Sequence, residues 1–426
     1  MSTFRSLARW LVRLEIVWLT LIYFYFVVSD QVPLLAFALI VLIWLARWWT
    51  TGRLTRTTRF DLPILILLAC LPISLAVTTE PAQSLPKIYG VLLSAAFFYA
   101  VVNAVQTRRD VQNAILWLVV VGAGIALAGL IGTDWAQNKI VSASFIYDHL
   151  PRFIQNIPRS IAGGFARNGV GGTLTLTIPL LAALALAPTK DERRMTNVLP
   201  SVVLRLSSLV WFALLLSLIT LALTQSRGGI LGTAIGLLAL AIWRDRRWLW
   251  LVAVGIIGLI VLFTMGYGTA IIEFVLRMDA QSGTLASRLE VWQRGWMMVQ
   301  DFPLTGIGIG TYNSMAHRLY PFFIASPDEV VAHAHNQFLQ VAVDLGIPGL
   351  IGYLGLLVAF IVTSIRAYRA SNEGMARALV VGVGCGILAH HVFGLTDAFM
   401  LGTKPGVVMW IYFALVAANE HALLAD

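Results

Sequence analysis

A few histidines and arginines, each set among glycines, amides or hydroxyls, carry the chemistry this sequence could perform. His335-Asn336 is followed by nine residues and then Gly346-Ile347-Pro348-Gly349, so His335 stands at the mouth of a helix that is broken a few turns on. An imidazole ordinarily titrates near pH 6.5, which suits general-base work near neutrality. His333 shares that chemistry, and both could equally be plain interfacial residues. Thr224-Gln225-Ser226-Arg227-Gly228-Gly229 closes one apolar stretch and opens the next, in a turn too short for Arg227 to be a solvated arm. A guanidinium is always charged and its donors match phosphate oxygens. Snorkelling to lipid headgroups is the plainer account of an arginine at a span end, but the glycines and hydroxyls beside it fit an anion site as well. Phe165-Ala166-Arg167-Asn168-Gly169 ends a polar loop in the same way, and Ser287-Arg288 precedes Trp292 by one helical turn, where cation–π packing is the alternative.

Other motifs say less. No Asp-x-Asp or His-x-x-Glu-His cluster occurs, so no metal and no cofactor is expected. Gly306, Gly308 and Gly310 follow no strand and read as a turn-rich loop rather than a nucleotide cradle. His390, His391 and Asp397 fall in a late apolar stretch, where ionisable residues are functional suspects or structural hydrogen-bonding groups.

The elements that must position these groups follow from composition. Of 426 residues, 58% are hydrophobic and 12% charged, about half the charge of a soluble domain. That leaves an all-α, polytopic integral membrane protein. Twelve apolar stretches can be drawn, roughly 12–28, 32–49, 62–78, 89–106, 114–132, 170–187, 207–224, 229–243, 248–265, 347–365, 378–398 and 407–423. The first is expected to be a retained span, because no small-residue cleavage site follows it. Cys70 and Cys385 lie inside apolar runs and say nothing of redox compartment.

An even span count puts both termini on one side, and the basic residues choose which. With a cytoplasmic N-terminus, 19 of the 30 Lys and Arg residues fall in cytoplasmic segments, while the short outer loops offer little beyond Lys87 and Lys404. This bias also accounts for the net charge of +9 without a nucleic-acid partner. Most of the remaining basic residues lie in two long outer loops, about 133–169 and 265–333, and in the hairpin carrying Arg227. Positive charge there runs against the insertion bias, which suggests that it binds an anion. Leu285, Leu289, Trp292, Trp296 and Val299 recur at spacings of 4, 3, 4 and 3, the stripe of an amphipathic helix at the membrane interface. The chain therefore divides into spans 1–9 over 1–264, a large outer loop over 265–333 and spans 10–12 over 334–426.

The arrangement resembles the O-antigen ligase family of bacterial envelope glycosyltransferases. That family's His-Asn, nine residues, Gly-x-x-Gly pattern matches His335, Asn336, Gly346 and Gly349. Its Ser-Arg-Gly element matches Ser226, Arg227 and Gly228, and its Ser-Arg-x-x-x-Trp stretch is similar to Ser287, Arg288 and Trp292. The resemblance implies an inner-membrane enzyme that takes a glycan from undecaprenyl diphosphate and transfers it to a sugar hydroxyl of lipid A–core at the periplasmic face. It implies His335 as base, with Arg227 and Arg288 on the diphosphate and Arg167, Asn336, His333, Ser226 and Trp292 binding substrate. Direct displacement would invert the anomeric centre without a metal. Membrane lipids would surround it. An O-antigen polymerase or a protein O-oligosaccharyltransferase using the same donor remains open. A secondary transporter of an anionic solute is disfavoured, because no paired broken-helix repeats are visible.

Overall fold

A computed structural model describes all residues except 1, 30–33, 134, 136–143, 150–164, 188–199, 277–284, 325–329, 372–373, 400 and 426. Most of the outer loop expected at 133–169 therefore lies outside the described residues. The rest form seventeen α-helices: α1 (Ser2–Arg13), α2 (Glu15–Ser29), α3 (Leu34–Thr51), α4 (Asp61–Val77), α5 (Pro81–Ala104), α6 (Arg108–Gly132), α7 (Ser144–Asp148), α8 (Arg167–Ala185), α9 (Pro200–Thr224), α10 (Arg227–Arg244), α11 (Leu249–Thr264), α12 (Gly268–Leu276), α13 (Leu285–Asp301), α14 (Tyr312–Leu319), α15 (Gln337–Ala370), α16 (Gly374–Phe393) and α17 (Lys404–Ala425). Among the described residues nine helices are long and apolar enough to cross a membrane, and α2, α3 and α4 supply three shorter apolar ones. Each of the twelve stretches read from hydropathy falls on one of these helices. The protein is an all-α, multi-pass membrane protein.

Glycines set how closely the central helices approach. On α10, Gly232 and Gly236 face the backbone of Ala389 and Cys385, where an added Cβ would meet carbonyl oxygens at 2.4 and 2.8 Å. On α16, Gly382 and Gly386 meet α8 at Leu180 and Leu176 in the same way. Two small-xxx-small stripes thus lock α8, α10 and α16 together, the usual route to tight packing where lipid supplies no hydrophobic drive. A second group, α4, α5, α15 and α17, buries Phe60, Phe98, Tyr353 and Phe413. By contrast, α11 has no buried residue at all.

Two corrections to the apolar reading concern helix ends. The first span starts at Glu15 rather than at Val12, because the chain breaks between α1 and α2 and Glu15 pairs with Arg47 of α3, both buried. α16 ends at Phe393, so Asp397 lies in the turn beyond it and not within the span.

α15 bends at Gly346, which takes φ +70°. The bend costs few hydrogen bonds. Ile347 N donates to Pro303 O (2.7 Å) instead of to its own helix, and the released carbonyl of Val343 accepts from Ile307 N at 2.9 Å. Pro348 has no N–H to satisfy. The Gly306–Gly310 run wraps this kink with φ of +64°, +99° and +79° at its glycines, a turn as expected. Here glycine is required twice over at Gly306, since a Cβ would stand 2.6 Å from the backbone of Asp344. Around it Val291, Met298, Ile307, Tyr312, Phe322 and Val331 form a small core with Ala342 and Val343 of α15, so the second loop is folded. Its helix α13 lies where the stripe placed it, but the stripe is split between faces, with Val299 buried in this core. Leu289 and Trp296 are half exposed, whereas Ser287, Arg288, Val291 and Met298 point inward.

Candidate active site

The His335 segment is held in a strained turn. His335 adopts φ +49°, a left-handed conformation that costs a non-glycine residue about 1 kcal/mol or more and clusters at functional sites. Immediately after it, Asn336 caps α15, its Oδ1 accepting from Phe338 N and Leu339 N at 3.1 Å each. The backbone N–H of His335 donates to His333 Nδ1 at 3.3 Å. That bond requires an unprotonated Nδ1, so neutral His333 carries its proton on Nε2. Burial, reinforced by the charges of His335, Arg288 and Lys87 and only partly offset by Asp397, pushes His333 down to about 4.

Asp397 faces both rings. Its Oδ1 lies 3.3 Å from His335 Nδ1 and 3.5 Å from His333 Nε2. The His335 contact is close in distance but not aligned as a hydrogen bond. Burial opposes ionisation of Asp397. Even so, the contact with His335, the charges of both imidazoles and the N–H of Ala398 together bring the carboxyl down to about 2. A carboxylate against Nδ1 favours the proton on that nitrogen and leaves Nε2, on the far edge of the ring, as the one able to accept a proton.

Gln337, the first residue of α15, ties the two halves together. Its N–H donates to Gly394 O (2.7 Å) and its Oε1 accepts from Phe399 N (2.8 Å), which staples the Asp397 turn to the His335 turn. Three helix N-termini meet this 393–399 turn: α15 through Gln337, α10 through Gly228 against Thr396, and α8 through Gly172 against Phe393 and Phe399. Arg167 and Arg227 are the first residues of α8 and α10, and neither helix has an acid in its first turn. The positive end of each helix dipole is thus reinforced by a guanidinium, a combination that suits an anion. From α13, Arg288 is buried and donates through Nη1 to the carbonyl of Thr396 in the same turn. On the same helix, buried Glu290 accepts from Phe323 N (2.6 Å) and Ile324 N (2.8 Å) and so pins the loop that follows.

The structure therefore brings His333, His335 and Arg288 together, and sets the starts of the Arg167 and Arg227 helices beside them. Two residues expected to bind substrate hold backbone hydrogen bonds here. Asn336 caps α15, and buried Ser226 caps α10 by accepting from Gly229 N at 3.3 Å. Trp292 is partly buried on α13. His390 contacts Gly172 O (3.2 Å) and His391 contacts the Tyr353 hydroxyl (2.9 Å), so both are hydrogen-bonding groups between helices. From sequence, Asp397 is a reserve candidate with nothing to pair it to His335. Lys87 of α5 reads there only as a loop charge, yet its charge reaches His333.

His333, His335 and Asp397 could also hold a divalent cation, since their ligand atoms lie within 4.8 Å of one another. In the structure the carboxylate stands between the two imidazoles, 3.3 Å from His335 Nδ1 and 3.5 Å from His333 Nε2.

Residues 212–354 match the O-antigen ligase family model. Over that third of its length the chain is similar to the O-antigen ligase family. Within that stretch stand Arg227, Arg288, His333, His335 and both glycines of the kink motif, while Lys87, Arg167 and Asp397 join from outside. The chain is 28% identical over 161 residues to the exopolysaccharide production protein ExoQ of Rhizobium meliloti, covering 36% of each chain. It is 22% identical over 214 residues to an uncharacterized protein of Haemophilus influenzae, 46% of this chain and 53% of that one. The matches thus span between about a third and a half of these curated relatives.

Proposed function

We propose that the protein is a glycosyltransferase of the bacterial inner membrane, with both termini in the cytoplasm and the His335 end facing the periplasm. It moves O-antigen glycan from undecaprenyl diphosphate to a sugar hydroxyl of lipid A–core, completing lipopolysaccharide. The observation that carries this reading is one base–carboxylate pair, His335 and Asp397, set beside arginine-led helix N-termini.

In the reaction, Nε2 of His335 takes the proton of the acceptor hydroxyl as its oxygen attacks the anomeric carbon, and Asp397 stabilises the imidazolium that forms. The bond from that carbon to the diphosphate oxygen breaks, and the departing charge falls to Arg227, Arg288 and Arg167 with the N-termini of α8 and α10. One displacement inverts the anomeric centre. The fixed guanidiniums supply the positive charge a metal would otherwise bring.

Likeness to a protein named for exopolysaccharide production supports a second reading, in which the acceptor is another carrier-linked glycan and the enzyme is a polymerase. The surface glycolipid ladder of cells lacking the protein tests both. Loss of a ligase leaves carrier-linked polymer and a bare core, whereas loss of a polymerase leaves core bearing at most one repeat. An unchanged ladder and unchanged exopolysaccharide would reject both.

A further inference from the structure

At the end of the bundle opposite His335, the linker between α3 and α4 reads Thr51-Gly-Arg53-Leu-Thr55-Arg56-Thr-Thr-Arg59. Beside it opens a cleft of about 370 Å³. Its walls are preformed. Asn103 Oδ1 accepts from the backbone N–H of Arg56 (3.1 Å), Asn103 Nδ2 donates to Thr55 Oγ1 (3.3 Å), and Gln106 Oε1 accepts from Arg56 Nη2 (3.1 Å).

The acids at this end are already engaged. Glu15 pairs with Arg47 inside the cleft. Asp61 accepts from Thr58 and Tyr99, Asp110 caps α6 through Thr107, and Glu420 takes Arg366 (2.5 Å) and Arg59 (3.7 Å). Among the described residues neither Arg53 nor Arg56 pairs with a carboxylate. The cleft thus carries two guanidiniums without a counter-charge. Trp10, Trp48 and Trp49 are half exposed on the neighbouring ends of α1 and α3, an aromatic girdle of the kind that marks headgroup level.

We propose that this cleft binds the phosphate of an anionic phospholipid headgroup. Two guanidiniums, one oriented by Gln106, grip the phosphate oxygens, the Thr55 side reaches the headgroup, and the acyl chains run along the exposed apolar faces of α2 and α3. The ordinary account of basic residues at this end, retention by the insertion machinery, needs charge but neither a concave site nor an oriented side chain.

Thermal unfolding of the purified full-length protein in neutral detergent tests this against three additions: phosphatidylglycerol, phosphatidylcholine, and inorganic phosphate at matched ionic strength. Phosphatidylglycerol should raise the midpoint by several degrees while the other two leave it unchanged. Arg53→Gln with Arg56→Gln should abolish that shift, and Arg247→Gln, exposed at the same end, should keep it. Arg53 is exposed, so Arg53→Gln alone should fold and weaken the apparent lipid affinity several-fold even if the double variant does not fold. No phosphatidylglycerol-specific shift, an apparent lipid affinity unchanged by Arg53→Gln, or an equal shift with inorganic phosphate would each overturn the proposal, the last by making the site one for a free anion.

Discussion

Asp397→Asn should reduce turnover by roughly 10³-fold while leaving donor affinity near that of the wild type. At 3.3 Å from His335 Nδ1, a unit charge pair at an effective dielectric near 20 is worth roughly 5 kcal/mol. If the proton is fully on His335 in the transition state, all of that is lost, or somewhat under four decades in rate; if it is half transferred, the loss is roughly two decades. Ser-His-Asp triads give an upper mark, since the same exchange there costs about 10⁴. The amide also no longer selects the Nδ1–H tautomer, so part of the population holds its base on the wrong nitrogen. Single-turnover transfer from lipid-linked donor to acceptor, at saturating donor, reads the effect directly. The variant should keep its thermal midpoint within a few degrees, because Ala398 N and the Gln337 staple still hold the turn. Turnover within tenfold of wild type in a folded Asp397→Asn protein would refute the dyad.

His335→Ala should abolish transfer in a protein that still folds, and His333→Ala should be milder, since His333 Nδ1 serves the backbone; equal losses in the same transfer assay would contradict this division. Lys at Arg227 or Arg288 should recover only part of the function and Ala little, with donor affinity lost and acceptor affinity spared when the two are measured separately. A chelator present throughout should leave activity intact, and loss that magnesium or manganese restores would make His333, His335 and Asp397 metal ligands. The pH dependence of stability has a definite sign. His333 is depressed from 6.5 to about 4 in the folded protein, so the unfolded chain binds the extra proton between those values. Stability is therefore full above pH 6.5 and falls by about 3 kcal/mol as pH drops to 4. His333→Asn should flatten that slope in thermal melts.

The apolar spans were legible because lipid-facing and buried helix faces are both hydrophobic, so composition alone reveals them. The kink was legible too: Gly346 and Pro348 each break a helix for a local reason. The pairing of His335 with Asp397 was not. They stand 62 residues apart, and Phe393-Gly-Leu-Thr-Asp-Ala-Phe reads as the tail of a span until Gln337 is seen to fold it back. Asn336 and Ser226 belong to the motifs, and a short polar residue just before a helix is also a cap signal, so their capping role was legible as well. The Leu289–Trp296 stripe gave the helix but not its facing, because beside lipid the apolar side need not be the inner one.

α11 contributes no buried residue, yet the molecule depends on it through parity. Counted from Arg246, its 19 residues reach about 28 Å as a helix, roughly one hydrocarbon thickness. The chain leaves α10 at the end far from His335 and must return before α13 can lay Arg288 on Thr396. Remove one crossing and every later segment changes sides, Arg288 and His335 with it, while α4, α5, α8 and α10 stay where they were. Sequence drift along α11 is thus nearly free so long as it stays apolar and of this length, whereas losing it would divide the arginines of α8 and α10 from His335. The helix matters as one crossing in the count rather than as a surface.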